Sequence, residues 1–278
     1  MTNLSSNNKS RFLWAIAVGI IFAAAALAPQ INLWLARGTD WNGVYALNEF
    51  DEPAYAAYIQ SLIDGKPRRN SPYSGAVDSA ATPLKESLFS IQFLASYPTA
   101  LAAGLFGVSA STAMIFLGAV TAFLAAFILF WLFYLFSDNA PSAFVGTSAV
   151  LFGGALAAGQ GSLISIISPQ SIDYHLALMF MRRSNPAISF PVIFLFFIFV
   201  WKFLNASTRS QKLLNGFAAV LAFTFLVYAY FSTGQPFWRG SARLRRSGRF
   251  SVLKIFAAAF FISRRSARAC FWSSSRIL

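Results

Sequence analysis

Apolar runs separated by short polar stretches fill most of the chain. The longest runs predict five membrane-spanning helices at residues 12–34, 112–136, 143–160, 187–204 and 213–231, because about 20 apolar residues are needed to cross the hydrocarbon core as a helix. Charged residues make up 11% of the chain, against about 25% in soluble domains. The sequence therefore predicts the all-α class, in the form of a polytopic α-helical membrane protein.

A long polar region, residues 37–111, follows the first predicted span. Lys9 and Arg11 precede that span, so the positive-inside rule puts the N-terminus in the cytoplasm and this loop outside. The Ala26-Leu27-Ala28 sequence would also suit a signal-peptide cleavage site, but Pro29 directly after it disfavours cleavage. We therefore expect a retained helix and a multi-pass protein of a bacterial-type plasma (inner) membrane.

The run Leu88–Gly107 within this loop has two interpretations. If it spans the membrane, Lys202, Arg209 and Lys212 fall outside; if it lies in the outer interface, they fall in the cytoplasm. The charge rule favours the interfacial interpretation. The long external first loop is then predicted to carry juxtamembrane helices.

An acidic stretch, Asn48-Glu49-Phe50-Asp51-Glu52-Pro53, stands in the first half of this loop. Pro53 suits the first position of a helix, and the charges of Asp51 and Glu52 suit the positive end of the helix dipole. The apolar face of the predicted helix comprises Tyr55, Tyr58, Ile59 and Leu62, and Gly65 can end it. Three carboxylates are therefore predicted near the start of a short amphipathic helix over 53–64.

The positive charge of the chain is concentrated in residues 237–278, which hold ten of the 22 Lys and Arg residues and no acidic residue. A nucleic-acid-binding protein would carry a basic face on a folded domain, so no nucleic-acid partner is expected. A lipid-binding patch is one interpretation of the tail. Our leading expectation is a loss of the reading frame near 232–237, which would leave a transmembrane domain at 1–234 and an Arg/Ser-rich tail at 235–278.

The motif Asp51-Glu52-Pro53-Ala54-Tyr55 resembles the Asp-Glu-x-x-Tyr opening of the first external loop in the GT-C superfamily. These membrane glycosyltransferases include the protein mannosyltransferases and the aminoarabinose transferases of lipid A. The order of elements over residues 10–232 is also similar, with Lys85-Glu86 and the run after it resembling the juxtamembrane portion. The chain lacks the later spans of that family, so a truncated and inactive form is one expectation.

The resemblance implies transfer of a sugar from a polyprenyl-phosphate-linked donor to an acceptor at the outer face of the membrane, with membrane lipid and that donor as partners. It singles out Asp51 as the catalytic base that takes the proton of the acceptor hydroxyl; capping of the helix is the alternative role. Glu52 and Glu86 are candidate substrate-binding residues. Alternatively, Glu52 complements the helix dipole, and Glu86 with Lys85 marks a helix boundary.

Further candidates lie between the third and fourth predicted spans. Asp173 lies where such enzymes often place a second acidic residue, and it is a candidate substrate-binding residue. Asp173 and His175 are also candidates for binding the acceptor or a divalent metal ion as cofactor. Arg182 and Arg183 are candidate substrate-binding residues, because arginine matches phosphate oxygens bidentately. Alternatively, Asp173 and His175 are a polar pair in a loop without such a role, and Arg182 and Arg183 anchor the start of a helix at the membrane interface. The single cysteine, Cys270, excludes an internal disulfide and a cysteine-built metal site.

Two other classes of function remain open on the sequence. A transporter or permease component usually places ionisable residues inside its spans, near the midplane of the bilayer. The cores of the predicted spans here carry no charge, and the acids lie in loops, which favours chemistry at the interface. A structural membrane subunit without a site is the third class.

Overall fold

The computed structural model describes residues 3–46, 51–157 and 187–229. The helices in these ranges are α1 (Asn3–Arg37), α2 (Glu52–Ile63), α3 (Leu88–Ile91), α4 (Phe93–Phe106), α5 (Ala110–Ser137), α6 (Ala140–Ala157), α7 (Ser189–Leu204) and α8 (Arg209–Ala229), with a 3-10 helix at Gly38–Asp40. The described ranges contain no strand, which confirms the all-α class for this part of the chain.

Three helices in the described ranges are long and apolar enough to cross a membrane: Lys9–Asp40, Ala110–Ser137 and Arg209–Ala229. They coincide with the first, second and fifth predicted spans. The third and fourth predicted spans fall on α6 and α7, which have 18 and 16 residues, or about 27 and 24 Å. With 14 residues, α4 is about 21 Å long, well short of a hydrocarbon core of about 30 Å. The five-span topology stays a prediction.

The long helix α5 is the centre of the described structure, since it contacts α1, α2, α4, α6 and α7. Small residues on its inner face, among them Ala122 and Ala126, pack with Val18 and Phe22 of α1 in one buried cluster. Small side chains let two helix backbones approach closely, as is common between helices in membranes. On the other side, α7 and α8 pack on each other, and α8 also contacts α4.

A second buried cluster joins α2, α3, α4 and the start of α5. Tyr55, Tyr58 and Ile59 are buried in it and Leu62 packs against it, which confirms the predicted apolar face of α2. Gly65 follows the helix with a φ of +76°, a conformation that glycine adopts without strain. The segment after α1 is also held in place, because the fully buried Gln30 of α1 accepts a 2.8 Å hydrogen bond from the Ala46 N–H.

The helix α4 exposes its large apolar side chains and buries its small ones. Leu101, Leu105 and Phe106 are 66 to 79% exposed, whereas the buried face of the helix carries Ala95, Ser96, Thr99, Ala100 and Ala103. A helix in water would bury the leucines, because each buried leucine side chain contributes about 1.5–3 kcal/mol. An apolar surrounding removes that preference, so this arrangement suits a helix in contact with lipid.

The contact between α1 and α5 supplies a test of this packing. A Cβ at Gly19 would lie 2.6 Å from Cε2 of Phe123, so Gly19→Ala should destabilise the protein by about 1–3 kcal/mol through overpacking. In α4, no described atom lies within 4 Å of a Cβ at Gly104, so Gly104→Ala is the matched control. Thermal unfolding in detergent should show a lower midpoint for Gly19→Ala alone; equal midpoints would contradict the close approach.

Candidate functional site

A cleft of about 360 Å³ opens between the start of α2 and the segments that precede and form α3. Its lining comprises Asp51, Tyr55, Arg69, Asn70, Ser71, Pro72, Tyr73, Leu84, Lys85, Ser87, Leu88 and Phe89. One carboxylate and two basic side chains therefore meet in the same cleft. The cleft lies in the region between α1 and α5 that the sequence predicts to be external.

Asp51 immediately precedes α2, and its side chain makes no capping hydrogen bond to that helix. The residue already has helical dihedral angles, with φ −82° and ψ −15°, whereas a side-chain N-cap normally has extended ones. Asp51 therefore occupies the N-cap position, but its backbone carbonyl and not its side chain accepts the first hydrogen bonds of the helix, from the N–H groups of Ala54 and Tyr55. Because the helix begins at Glu52, Pro53 is its second residue, one position later than predicted.

Glu52 is 2% exposed and belongs to the first turn of α2. The partial positive charge of the helix start acts on carboxylates in this turn, which agrees with the dipole role considered for it. Glu52 is not among the residues that line the cleft. The structure therefore separates the two adjacent acids: Asp51 faces the cleft region and Glu52 is enclosed by the protein.

The carboxylate of Glu86 binds two consecutive arginines. Its Oε1 accepts hydrogen bonds from Nη2 of Arg68 at 2.5 Å and from Nε of Arg69 at 2.9 Å. Its Oε2 accepts from Nη1 of Arg68 at 2.8 Å and from Oγ of Ser90 at 2.6 Å. The hydrogen bonds from Arg68, more than any other contact, lower the pKa of Glu86 to about 2, although its partial burial acts in the opposite direction.

Arg68, whose side chain is 33% exposed, is held in place by further contacts. Its Nη1 also donates to the Ser90 carbonyl, its guanidinium carbon lies 5.8 Å from the ring centroid of Phe93, and its own carbonyl accepts a 2.8 Å hydrogen bond from the hydroxyl of Tyr58. Burial raises the pKa of the fully buried Tyr58, so that hydroxyl stays a donor. Hydrogen bonding to Glu86 raises the pKa of Arg68 as well. Arg68 is therefore a structural residue.

Arg69 is placed differently from its neighbour. Its side chain is 40% exposed and lines the cleft, while Nε is bound to Glu86. Lys85, which precedes Glu86 in sequence, is exposed and lines the same cleft. The two cations make this part of the cleft a suitable place for an anionic ligand.

Local hydrogen bonds fix the segments that carry these residues. Ser87 and Ser90 form a reciprocal capping box at the start of α3, since each side chain accepts a hydrogen bond from the backbone N–H of the other. Asn70 is buried, and its Nδ2 donates to the carbonyl of Pro67 at 2.9 Å. In the connecting loop, Asp78 accepts from the backbone N–H of Leu84 at 2.7 Å.

Aromatic rings form the apolar wall of the cleft. The ring of Phe89 meets that of Tyr55 edge-on at 5.1 Å between centroids and that of Tyr73 at 5.8 Å. Such rings offer flat apolar surface at a small cost in conformational entropy. The cleft thus combines a carboxylate, two cations and an aromatic wall.

The structure brings together only part of the predicted site. Asp51 and Lys85 line the cleft, while Glu86 binds the arginines behind it. Four predicted residues, Asp173, His175, Arg182 and Arg183, lie outside the described ranges, and so does Glu49. Within those ranges no three His, Cys, Asp or Glu side chains are grouped so that they could hold a metal ion.

Sequence reasoning missed the second wall of the cleft. It gave no role to Arg68, Arg69 or Asn70, although Arg68-Arg69 is a pair of adjacent arginines like Arg182-Arg183, for which phosphate binding is expected. That similarity was the available signal. The pairing with Glu86, 17 and 18 residues further on, leaves no local pattern in the sequence.

The lowered pKa of Glu86 predicts a dependence of stability on pH. Because the folded-state pKa of about 2 lies below the ordinary value of 4.5, the ion pair stabilises the fold above about pH 4.5, and this contribution is lost as the pH falls from about 5 to 2. Glu86→Gln should lower the free energy of unfolding by about 1–2 kcal/mol at pH 7, allowing for screening by water. It should also flatten the acid limb, the part of the stability profile in which stability falls between about pH 5 and 2.

Thermal unfolding in detergent between pH 3 and 7 checks this expectation, with the exposed Asp64→Asn as control. The same acid limb in wild type and Glu86→Gln would contradict the assignment of the limb to this carboxylate.

Comparison with known protein families, curated proteins and solved structures finds no match for this chain. A function must therefore be argued from the cleft itself. Its distinguishing features are the carboxylate of Asp51 and the basic side chains of Arg69 and Lys85 on facing segments.

Proposed function

We propose that the chain is a multi-pass membrane glycosyltransferase of the GT-C type, which uses this cleft to transfer a sugar from a polyprenyl-phosphate donor. The observation that carries the proposal is the meeting of Asp51, Arg69 and Lys85 in one cleft. Asp51 belongs to the motif that resembles the family, whereas Arg69 was not part of that resemblance. The cleft therefore adds an independent argument to the motif.

Asp51 has the chemistry required of the general base. As the acceptor hydroxyl attacks the anomeric carbon, its proton passes to the Asp51 carboxylate and a new carbon–oxygen bond forms. The bond from the anomeric carbon to the phosphate oxygen breaks, and its electron pair stays on that oxygen. A positioned carboxylate contributes roughly 10²- to 10⁴-fold in such a proton transfer.

The two cations have the chemistry required at the leaving group. Negative charge grows on the phosphate as it departs, and preorganised positive groups stabilise that charge. Lys85 is exposed and Arg69 is 40% exposed, so both can reach a ligand in the cleft. The aromatic wall of Tyr55, Tyr73 and Phe89 provides a surface on which a sugar ring can pack.

The surroundings of the cleft agree with a lipid-linked substrate. Three described helices are long and apolar enough to cross a membrane, and α4 presents Leu101, Leu105 and Phe106 outward. Leu88 and Phe89 of α3 line the cleft, and α4 begins at Phe93. A donor whose polyprenyl chain lies in the outer leaflet would have its phosphate close to this cleft.

Replacement of the proposed base gives the direct test of the activity. With a polyprenyl-phosphate-linked sugar and protein-containing membranes, Asp51→Asn should lower the rate of sugar transfer by at least about 100-fold, because the amide cannot take the proton. Asp64→Asn, in which an exposed carboxylate at the other end of α2 is replaced, should keep the wild-type rate. Equal rates in wild type and Asp51→Asn would remove Asp51 as base; movement of a solute into vesicles without sugar transfer would favour a transporter.

The proposed five-span topology, with the cleft outside, can be tested by labelling. In a Cys270→Ser background, a cysteine introduced at Ser74, in the loop beside the cleft, should react with a membrane-impermeant maleimide in intact spheroplasts. A cysteine at Ser207, between α7 and α8, should react only after permeabilisation. Labelling of both positions in intact spheroplasts would contradict this topology.

A further inference from the structure

We propose that Glu86 is a positioning residue for anion binding: it holds the Arg69 guanidinium by one edge, so that the other donors of Arg69 meet a phosphate group in the cleft. The inference rests on the proposed function in taking the ligand to carry a phosphate. It assigns Glu86 a role through Arg69 and not through contact with substrate.

The division of donors on Arg69 supports this role. A guanidinium has five N–H donors in a rigid planar fork. Within the described ranges, the side chain of Arg69 makes one hydrogen bond, from Nε to Oε1 of Glu86 at 2.9 Å. Its two terminal nitrogens keep their four N–H groups, in a side chain that lines the cleft, and two parallel N–H groups match two phosphate oxygens.

The saturation of Glu86 points to the same role. A carboxylate has about four acceptor positions, and here it receives two hydrogen bonds from Arg68, one from Arg69 and one from Ser90. It has no capacity left for a substrate hydroxyl. The hydrogen bond from Ser90, which does not involve Arg68, holds the carboxylate at the start of α3, and the carboxylate in turn holds Arg69.

Simple electrostatics predicts that removing the negative charge of Glu86 strengthens anion binding, whereas the positioning role predicts that it weakens anion binding. A negative group 2.9 Å from Arg69 lowers the positive potential of the cleft, so neutralising it should strengthen anion binding if attraction alone mattered. If orientation of the guanidinium matters more, neutralising it should weaken anion binding. The sign of the change therefore separates the two explanations.

The experiment measures binding of undecaprenyl phosphate to the full chain in nanodiscs, with uncharged undecaprenol as the matched probe. Glu86→Gln should bind the phosphate about five- to tenfold more weakly, the equivalent of one ordinary hydrogen bond, and should bind the alcohol as wild type does. Between pH 7 and 8, where Glu86 is ionised and the phosphate is largely dianionic, the ratio between wild type and variant should stay constant.

Arg68→Gln is the matched control, because it removes the neighbouring arginine from the same carboxylate and leaves the bond between Glu86 and Arg69 in place. It should lower the unfolding midpoint while keeping phosphate affinity within about twofold of wild type, a difference of about 0.4 kcal/mol. In Glu86→Gln, Arg68 loses its partner and could bind the phosphate in place of Arg69. The double variant Arg68→Gln with Glu86→Gln removes this possibility and should bind the phosphate as weakly as Glu86→Gln.

Three results would overturn the positioning role. In the first, Glu86→Gln binds the phosphate as tightly as wild type or more tightly. In the second, Arg68→Gln and Glu86→Gln weaken phosphate binding equally. In the third, wild type binds the phosphate and the alcohol with the same affinity. The third result would also remove the anion site of the proposed function. Phosphate binding with the expected pattern, but without sugar transfer, would support the positioning role and overturn only the transferase activity.

Discussion

One carboxylate connects the two parts of the segment between α2 and α3 that form the wall of the cleft opposite the start of α2. Glu86, at the entry to α3, accepts hydrogen bonds from Arg68 and Arg69, 18 and 17 residues earlier in the chain. Closing a loop of this length costs conformational entropy, which the ion pair and the contacts of Phe89 with Tyr55 and Tyr58 offset. Without that closure, Arg69 and Lys85 would not be held opposite the start of α2.

The long apolar helix α5, which follows the cleft residues in sequence, also supports the cleft through its contacts with α2. The first turns of α5 belong to the cluster with Tyr58 and Ile59, through Ala110 and Met114, whereas its later turns pack with α1 and α6. A hydrogen bond from the Ala110 N–H to Oε1 of Gln60 joins α2 to the start of α5 at 3.3 Å. Residues carried on such packed helices are positioned more precisely than residues on loops.

The parts of this arrangement that could be predicted are those with a local physical cause. The face of α2 follows from the spacing of Tyr55, Tyr58 and Ile59, and its end follows from Gly65, because helix periodicity and glycine conformation are properties of adjacent residues. The three helices that are long and apolar enough to cross a membrane follow from the apolar runs of the sequence. The pairing of Glu86 with Arg68 could not be predicted, because it depends on the path of the whole loop, and the helical dihedrals of Asp51 depend on how the chain enters α2.

The outward-facing leucines of α4 have a consequence for how a ligand would be encountered. A single residue, Gln92, separates α3, whose Leu88 and Phe89 line the cleft, from α4. A ligand anchored in the leaflet would reach the cleft by lateral diffusion in two dimensions, and its effective concentration would be set by its mole fraction among the lipids. Occupancy would then change with the lipid composition of the membrane even at a constant total amount of ligand.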